Sequence, residues 1–226
     1  EAPYNRGGVI VDPSLCLYLP FEEGTGTKTK DLSGWGNHGT LVNGPIWTTG
    51  RVGKCLSFDG VDDYVDCGNS ASLNMTDEIT IELWINRISY AIWNDLISHA
   101  TVTGESDSTG QSFRLEQWDT TNTLGFVSNA GIPGVFPFTF SSGSGNGVWV
   151  HIAITGGNGL YTKAYVNGEL KVQSSTVGGK INLVGDGWYI GSRNTNKHFS
   201  NCLIDEVRIY NRALSASEIQ DHYLNP

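Results

Sequence analysis

The sequence of 226 residues predicts an all-β protein: two antiparallel sheets packed as a sandwich, followed by one short C-terminal helix. Three observations predict it. Short apolar or alternating runs of about 4–8 residues recur along the chain. Gly, Asn and Asp separate these runs, and 29 residues are glycine. Apolar spacing at the helical period is nearly absent, so nothing supplies the crossover helices of a parallel sheet.

The predicted strands follow in order. Leu15 to Phe21 is an apolar run closed by Pro20. Lys54 to Phe58 and Tyr64 to Cys67 flank an Asp-Gly turn. Ile79 to Ile85 alternates aliphatic and polar residues around Trp84. Ser112 to Glu116 and Leu124 to Ser128 are shorter alternating runs, and Val148 to Thr155 carries Trp149 among aliphatics. Lys163 to Val166 and Glu169 to Gln173 bracket Asn167-Gly168, the φ > 0 pair of a type I′ hairpin turn. Trp188 to Gly191 and Leu203 to Tyr210 complete the set. Ser215 and Glu218 then form an S-x-x-E capping box, which predicts a helix from Ser215 to about Tyr223.

No composition break divides the chain. Thr101 to Gly110 and Ser141 to Gly147 read as Ser/Gly-rich loops within one domain spanning 1–226. Glu1 in place of methionine suggests a processed or trimmed chain. Acidic residues number 23 against 14 basic ones, a formal charge of −9, which disfavours a phosphate-binding surface and hence nucleic acid. No apolar segment approaches the ~20 residues of a membrane-spanning helix.

Chemical motifs are sparse. Gly34-x-Gly36-x-x-Gly39 spells a dinucleotide fingerprint, but no helix pattern follows it, so it reads as a glycine-rich turn. Sandwich-fold glucanases need E-x-D-x-x-E on a strand, and the nearest string, Glu105 to Gly110, lacks its third carboxylate and lies in a loop. No catalytic residue is assigned. Acidic residues gather at Glu22-Glu23, Asp59 with Asp62-Asp63, Glu116 with Asp119, and Asp205-Glu206. The Asp59–Asp63 loop reads first as an Asx turn, with calcium ligation as the alternative. Asp205 interrupts an apolar strand, and a carboxylate there needs a partner: an arginine such as Arg208, or a metal.

Trp84 and Trp149 alternate with aliphatics and read as packing residues. Trp93 and Trp118 have polar neighbours, Tyr90, Asn94, Arg114 and Gln117, that suit a sugar-stacking platform. The candidate ligand-binding residues are therefore Trp93, Trp118, Tyr90 and Arg114, with Trp188 and Trp35 next. Asn74-Met75-Thr76 is a glycosylation sequon.

Taken as a set, LYLPFEEGTGTKTKDLSGWGNHGTL, GRVGKCLSFDGVDDYVDCG, ITIELWI, WVHIAIT, AYVNGEL and LIDEVRIYNRALSASEI resemble the LamG-like (laminin-G type 3) branch of the concanavalin A-like lectin/glucanase superfamily. The resemblance runs from about Leu15 to Tyr223. It implies a two-sheet jelly roll, placed outside the cell or at its surface, and used as a non-catalytic module. It also implies a structural Ca2+ held by the carbonyls of Pro20 and Gly53 and by Asp205. The expected function is carbohydrate binding or adhesion, with a glycan or polysaccharide and other domains of a larger secreted protein as partners. A structural or assembly protein is the alternative, and an enzyme with an atypical site comes third.

The four cysteines permit two disulfides. A hairpin centred near Val61 sets Phe58 against Tyr64 and Cys55 against Cys67. In a jelly roll the first and last strands are neighbours, which leaves Cys16 with Cys202.

Overall fold

The alternation in the sequence becomes two stacked sheets. The computed structural model describes residues 5–6, 9–10, 12–88, 94–100, 111–117, 123–128, 130–139, 147–183, 185–195 and 197–226. Two short strands, β1 (Asn5–Arg6) and β2 (Val9–Ile10), pair with each other. Next come β3 (Leu15–Leu19), β4 (Lys28–Thr29), β5 (Gly39–Val42), β6 (Ile46–Thr49), β7 (Lys54–Asp59) and β8 (Tyr64–Asp66). The middle of the chain gives β9 (Glu78–Arg87), β10 (Asn94–Ala100), β11 (Gln111–Gln117), β12 (Thr123–Ser128) and β13 (Val135–Thr139). The last part gives β14 (Trp149–Gly157), β15 (Leu160–Val166), β16 (Glu169–Val177), β17 (Gly187–Ile190), β18 (Asn201–Tyr210) and the helix α1 (Ala216–Leu224).

One sheet runs β13-β12-β11-β10-β17-β8-β5-β4 and the other β16-β15-β14-β9-β18-β7-β6, with β3 added beside β18. We call them the β11 sheet and the β9 sheet. All named strand pairings are antiparallel. The period of two sends Ile79, Ile81, Leu83 and Ile85 of β9 inward against Phe113 and Leu115 of β11 and Leu124 and Phe126 of β12, in one buried core.

The outward set of β9 is buried as well, because α1 covers it. Ser215 caps the helix: its Oγ accepts from Glu218 N at 3.3 Å while Glu218 Oε2 accepts from Ser215 N at 2.8 Å. Ile219 packs with Leu15, Ala153, Tyr165, Tyr210 and Leu214 in a second apolar cluster. Tyr223 stacks on Trp84 with centroids 5.7 Å apart, and His222 Nδ1 lies 2.9 Å from Glu82 Oε2. Trp84 is thus a packing residue, but under the helix and not between the sheets. The predicted helix and the Asn167-Gly168 hairpin both stand, with φ of 51° and 77° at the turn.

Both disulfide expectations are corrected: Cys16, Cys55, Cys67 and Cys202 are free, buried thiols. The turn after Asp59 does not close a paired hairpin. It carries the chain from β7 in the β9 sheet to β8 in the β11 sheet, so Cys55, on β7, and Cys67, directly after β8, belong to different sheets. Cys202 lies opposite Phe58 at one end of β18, whereas Leu15 and Leu17, on either side of Cys16, pair with Tyr210 and Ile209 at the other end. At ~3.3 Å per residue that separates them by roughly 25 Å along the strand, far beyond disulfide reach.

Candidate ligand and metal sites

On β11 the inward Phe113 and Leu115 alternate with Arg114 and Glu116, which face away from the core. β10 lies alongside and contributes Asp95 and Ser98, and the loop after β17 contributes Arg193. These side chains form a buried ionic cluster. Arg193 Nε donates to Asp95 Oδ2 at 2.7 Å and its Nη2 to Glu116 Oε2 at 3.2 Å, while Arg114 Nε donates to Glu116 Oε2 at 2.9 Å. Ser98 Oγ donates to the carbonyls of Ser192 and Arg193, and Ser200 Oγ to that of Asp95. Asp95, Glu116 and Arg193 are 0–1% exposed. Burial pushes the Asp95 carboxyl up from its usual range, and the Arg193 guanidinium opposes that shift. Among the described residues, two carboxylates face two guanidiniums, and each carboxylate is held in an ion pair.

Arg114 was expected to touch ligand; it lies within this cluster and is 9% exposed. Tyr90, Trp93 and Trp118 lie outside the described residues, as does Glu105 to Gly110. Their described chain neighbours are informative nonetheless: Asn94 and Gln117 are register partners across β10 and β11. Trp188 is corrected as a ligand candidate. It is fully buried, stacks against Phe113 at 6.2 Å, and donates from Nε1 to the Leu73 carbonyl. Arg193 and Asp95 were not singled out by sequence, since S-R-N in a turn and N-D before an apolar pair both read as solvated surface.

The second site lies on β18. A bulge between Asp205 and Arg208 puts Glu206 at φ 53°, a left-handed conformation that is costly for a non-glycine residue. Asp205 is fully buried, and its partners are backbone amides: Oδ2 accepts from Arg51 N at 2.8 Å and Val52 N at 3.1 Å, Oδ1 from Glu206 N at 2.9 Å. Arg208 does not pair with Asp205. It binds Glu206, which also accepts from Tyr18 Oη at 2.8 Å. The turn that wraps Asp205 requires glycine. A Cβ on Gly50 would meet Asp205 Oδ2 at 2.6 Å, and Gly53, at φ 47°, would meet Glu22 Oε2 at 2.2 Å.

Burial, with Glu206 adjacent, pushes the Asp205 carboxyl up to about 7, and burial raises Glu206 too. Pro20 follows directly on Leu19, which pairs with Val207, so β3 brings it beside the bulge. The Gly53 carbonyl accepts from Gly50 N at 3.1 Å. The three segments named from sequence, around Pro20, Gly53 and Asp205, therefore converge, with Glu22 and Glu206 close by. The donors are all oxygen and carry excess negative charge, which fits a hard divalent cation such as calcium. The Asp59–Asp63 loop is an Asx turn, with Val61 N on Asp59 Oδ1 at 2.8 Å; its three carboxylates also lie within 4.8 Å of one another.

The fold is similar to several solved structures. The binding domain of Paraclostridial Mosquitocidal Protein 1 superposes with a TM-score of 0.70 at 18% identity, over 93% of this chain and 52% of that one. Domain 4 of AbnA, a GH43 extracellular arabinanase from Geobacillus stearothermophilus in complex with arabinotriose, gives 0.65 at 19% identity, over 92% and 97% of the two chains. A mutant of Trypanosoma rangeli sialidase displaying trans-sialidase activity gives 0.67 at 18% identity, over 96% and 34%. The chain thus spans about half of the toxin domain and a third of the sialidase. A search of curated proteins finds no match. The Laminin_G_3 family, described as concanavalin A-like lectin/glucanases superfamily, matches residues 59–220.

Proposed function

The chain belongs to the Laminin_G_3 family of the concanavalin A-like lectin/glucanase superfamily, and from that premise we propose that it is a secreted, non-catalytic carbohydrate-binding module with a structural calcium ion. The observation that carries this reading is the pairing of Asn94 with Gln117. Trp93 directly precedes the first and Trp118 directly follows the second, so the two strand ends that lead to these tryptophans lie side by side. An indole suits the apolar face of a sugar ring, and segments that continue from strand ends are where binding residues concentrate. Tyr90 and Arg114 belong to the same segments.

Hydrolysis is disfavoured by the ionic cluster. Glycoside cleavage needs one protonated and one ionised carboxyl group flanking the substrate, whereas Asp95 and Glu116 are buried against Arg193 and Arg114. Domain 4 of the extracellular arabinanase, matched over nearly its whole length, supports both the carbohydrate and the extracellular parts of the reading. Calcium would be held by Asp205 with the carbonyls of Pro20 and Gly53, and would supply the positive charge that this oxygen-rich bulge lacks.

A glycan array probed in calcium and again in chelator tests the proposal. Retention of at least one glycan is expected. Trp93→Ala or Trp118→Ala should weaken that binding by roughly tenfold to a hundredfold, as for a hot-spot aromatic, with the melting temperature unchanged. An array on which the protein retains no glycan overturns the reading.

A further inference from the structure

Trp35 is presented by a segment built to hold it outward. Gly34 and Gly36 flank it at φ of 101° and 81°, and neither has any neighbour within 4 Å of where a Cβ would stand. Both glycines therefore serve the backbone path of an open loop tip. The base of the loop is fixed by the buried carboxylate of Asp31. Its Oδ1 accepts from Tyr18 N and Ser33 N at 2.9 and 2.8 Å, and its Oδ2 from Asn37 N and Ser33 Oγ at 2.9 and 2.7 Å. Trp35 is 56% exposed on this rigid base, whereas Trp84 and Trp188 are 2% and 0% exposed.

The indole forms one wall of an open groove of about 510 Å³, within the size range of ligand sites. Ser72, Asn74, Thr76, Asp77 and Asn211 line the rest of its polar surface. The far wall is tied to the tryptophan loop through Asn37, whose Nδ2 donates to Ser72 Oγ at 2.9 Å and to the Cys16 carbonyl at 2.8 Å. Both walls are thus positioned before any ligand arrives. Asn74 and Asn211 are exposed, and among the described residues their side-chain amides make no hydrogen bond. The lining holds one carboxylate, Asp77, and no cation.

We propose that this groove is a second saccharide site, selective for neutral pyranose rings. The indole takes the apolar C–H face of the ring, and the two free amides, each both donor and acceptor, take vicinal hydroxyls. Asp77 and the chain's net charge of −9 disfavour sialylated or uronic sugars. The inference rests on the carbohydrate-binding reading but places a site on residues independent of Trp93 and Trp118.

The test uses protein made without glycosylation, so that the Asn74 sequon keeps its amide. Calorimetric and tryptophan-fluorescence titrations with cellotriose, mannotriose and xylotriose, and with sialyllactose as the anionic control, are run on the unaltered protein, on the Trp93→Ala/Trp118→Ala double variant, and on that double variant with Trp35→Ala or Asn74→Ala added. A neutral trisaccharide should bind the double variant, and adding Trp35→Ala to that variant should weaken the binding roughly tenfold or more, with an unchanged melting temperature. Asn74→Ala should weaken it less, and sialyllactose should not compete. Equal binding by the double variant with and without Trp35→Ala overturns this site while leaving the general reading intact. A drop of several degrees in melting temperature for Trp35→Ala, with binding kept in Asn74→Ala, marks the indole as packing and also overturns it. No binding of any saccharide by the unaltered protein overturns both.

Discussion

Replacing Arg193 with methionine should lower the free energy of unfolding by about 3–5 kcal/mol at pH 8, the usual result of removing one partner from a buried ion pair. Arg193 is 1% exposed and sits between Asp95 and Glu116. Methionine fills much of the space but removes the guanidinium that pairs with both buried carboxylates. The loss should depend on pH with a defined sign. Burial already raises the Asp95 carboxyl, and without the guanidinium it rises further. A group with a raised folded-state pKa binds its proton in the folded chain when the unfolded chain has released it. Its contribution is therefore complete below the unfolded value of about 4 and is lost as pH rises through the folded value. The Arg193→Met deficit should accordingly be smallest near pH 5 and largest near pH 8. Urea unfolding at the two pH values measures it; a loss below about 1 kcal/mol at pH 8 would show that the cluster is better solvated than its burial implies.

The second large effect concerns Asp205. In chelator, wild-type stability should fall as pH rises from about 4 to about 7, because the carboxyl is pushed up to about 7 in the fold and must ionise without a cation. Asp205→Asn should flatten that slope and cost about 1–3 kcal/mol at low pH, since an amide cannot accept all three backbone N–H groups. Calcium at a hundredfold excess over Kd stabilises by about 2.7 kcal/mol, or roughly 5–10 °C in a chain of this size. The wild type should show that gain, more strongly at pH 8 than at pH 6, because the ion binds the ionised carboxylate. Asp205→Asn should not show it. Scanning calorimetry with and without calcium decides, and an unchanged wild-type melting curve removes the ion from this site.

What could be read from sequence was local. Alternation around Ile79–Ile85, the Asn167-Gly168 pair and the Ser215/Glu218 box each encode a short-range constraint, and each appears as read. Asp205 stood out because a carboxylate in an apolar strand breaks the period. Sheet membership was not readable. Nothing in D-G-V-D-D distinguishes a turn within one sheet from a corner between two, and that difference alone undid the Cys55–Cys67 pairing. The short strands β1, β2, β4, β5 and β6 were not read from sequence, and the longer β10 and β13 were missed for two reasons. The outward face of Asn94–Ala100 is polar yet buried, and Pro137 interrupts Val135–Thr139, which survives as an edge strand where a missing donor is tolerated. Arg193 was invisible because its partners lie 98 and 77 residues away.

The four sealed thiols give the molecule a built-in clock. Burial pushes Cys16 up to about 11 and Cys55 and Cys202 to about 12, and raises Cys67 as well. Thiolate is the reactive form, so alkylation must wait for the chain to open. Cys16, Cys55 and Cys202 sit on strands of the β9 sheet, and Cys67 directly follows β8 of the β11 sheet. The relative labelling rates therefore record whether the two halves of the sandwich part together or whether one layer breathes first.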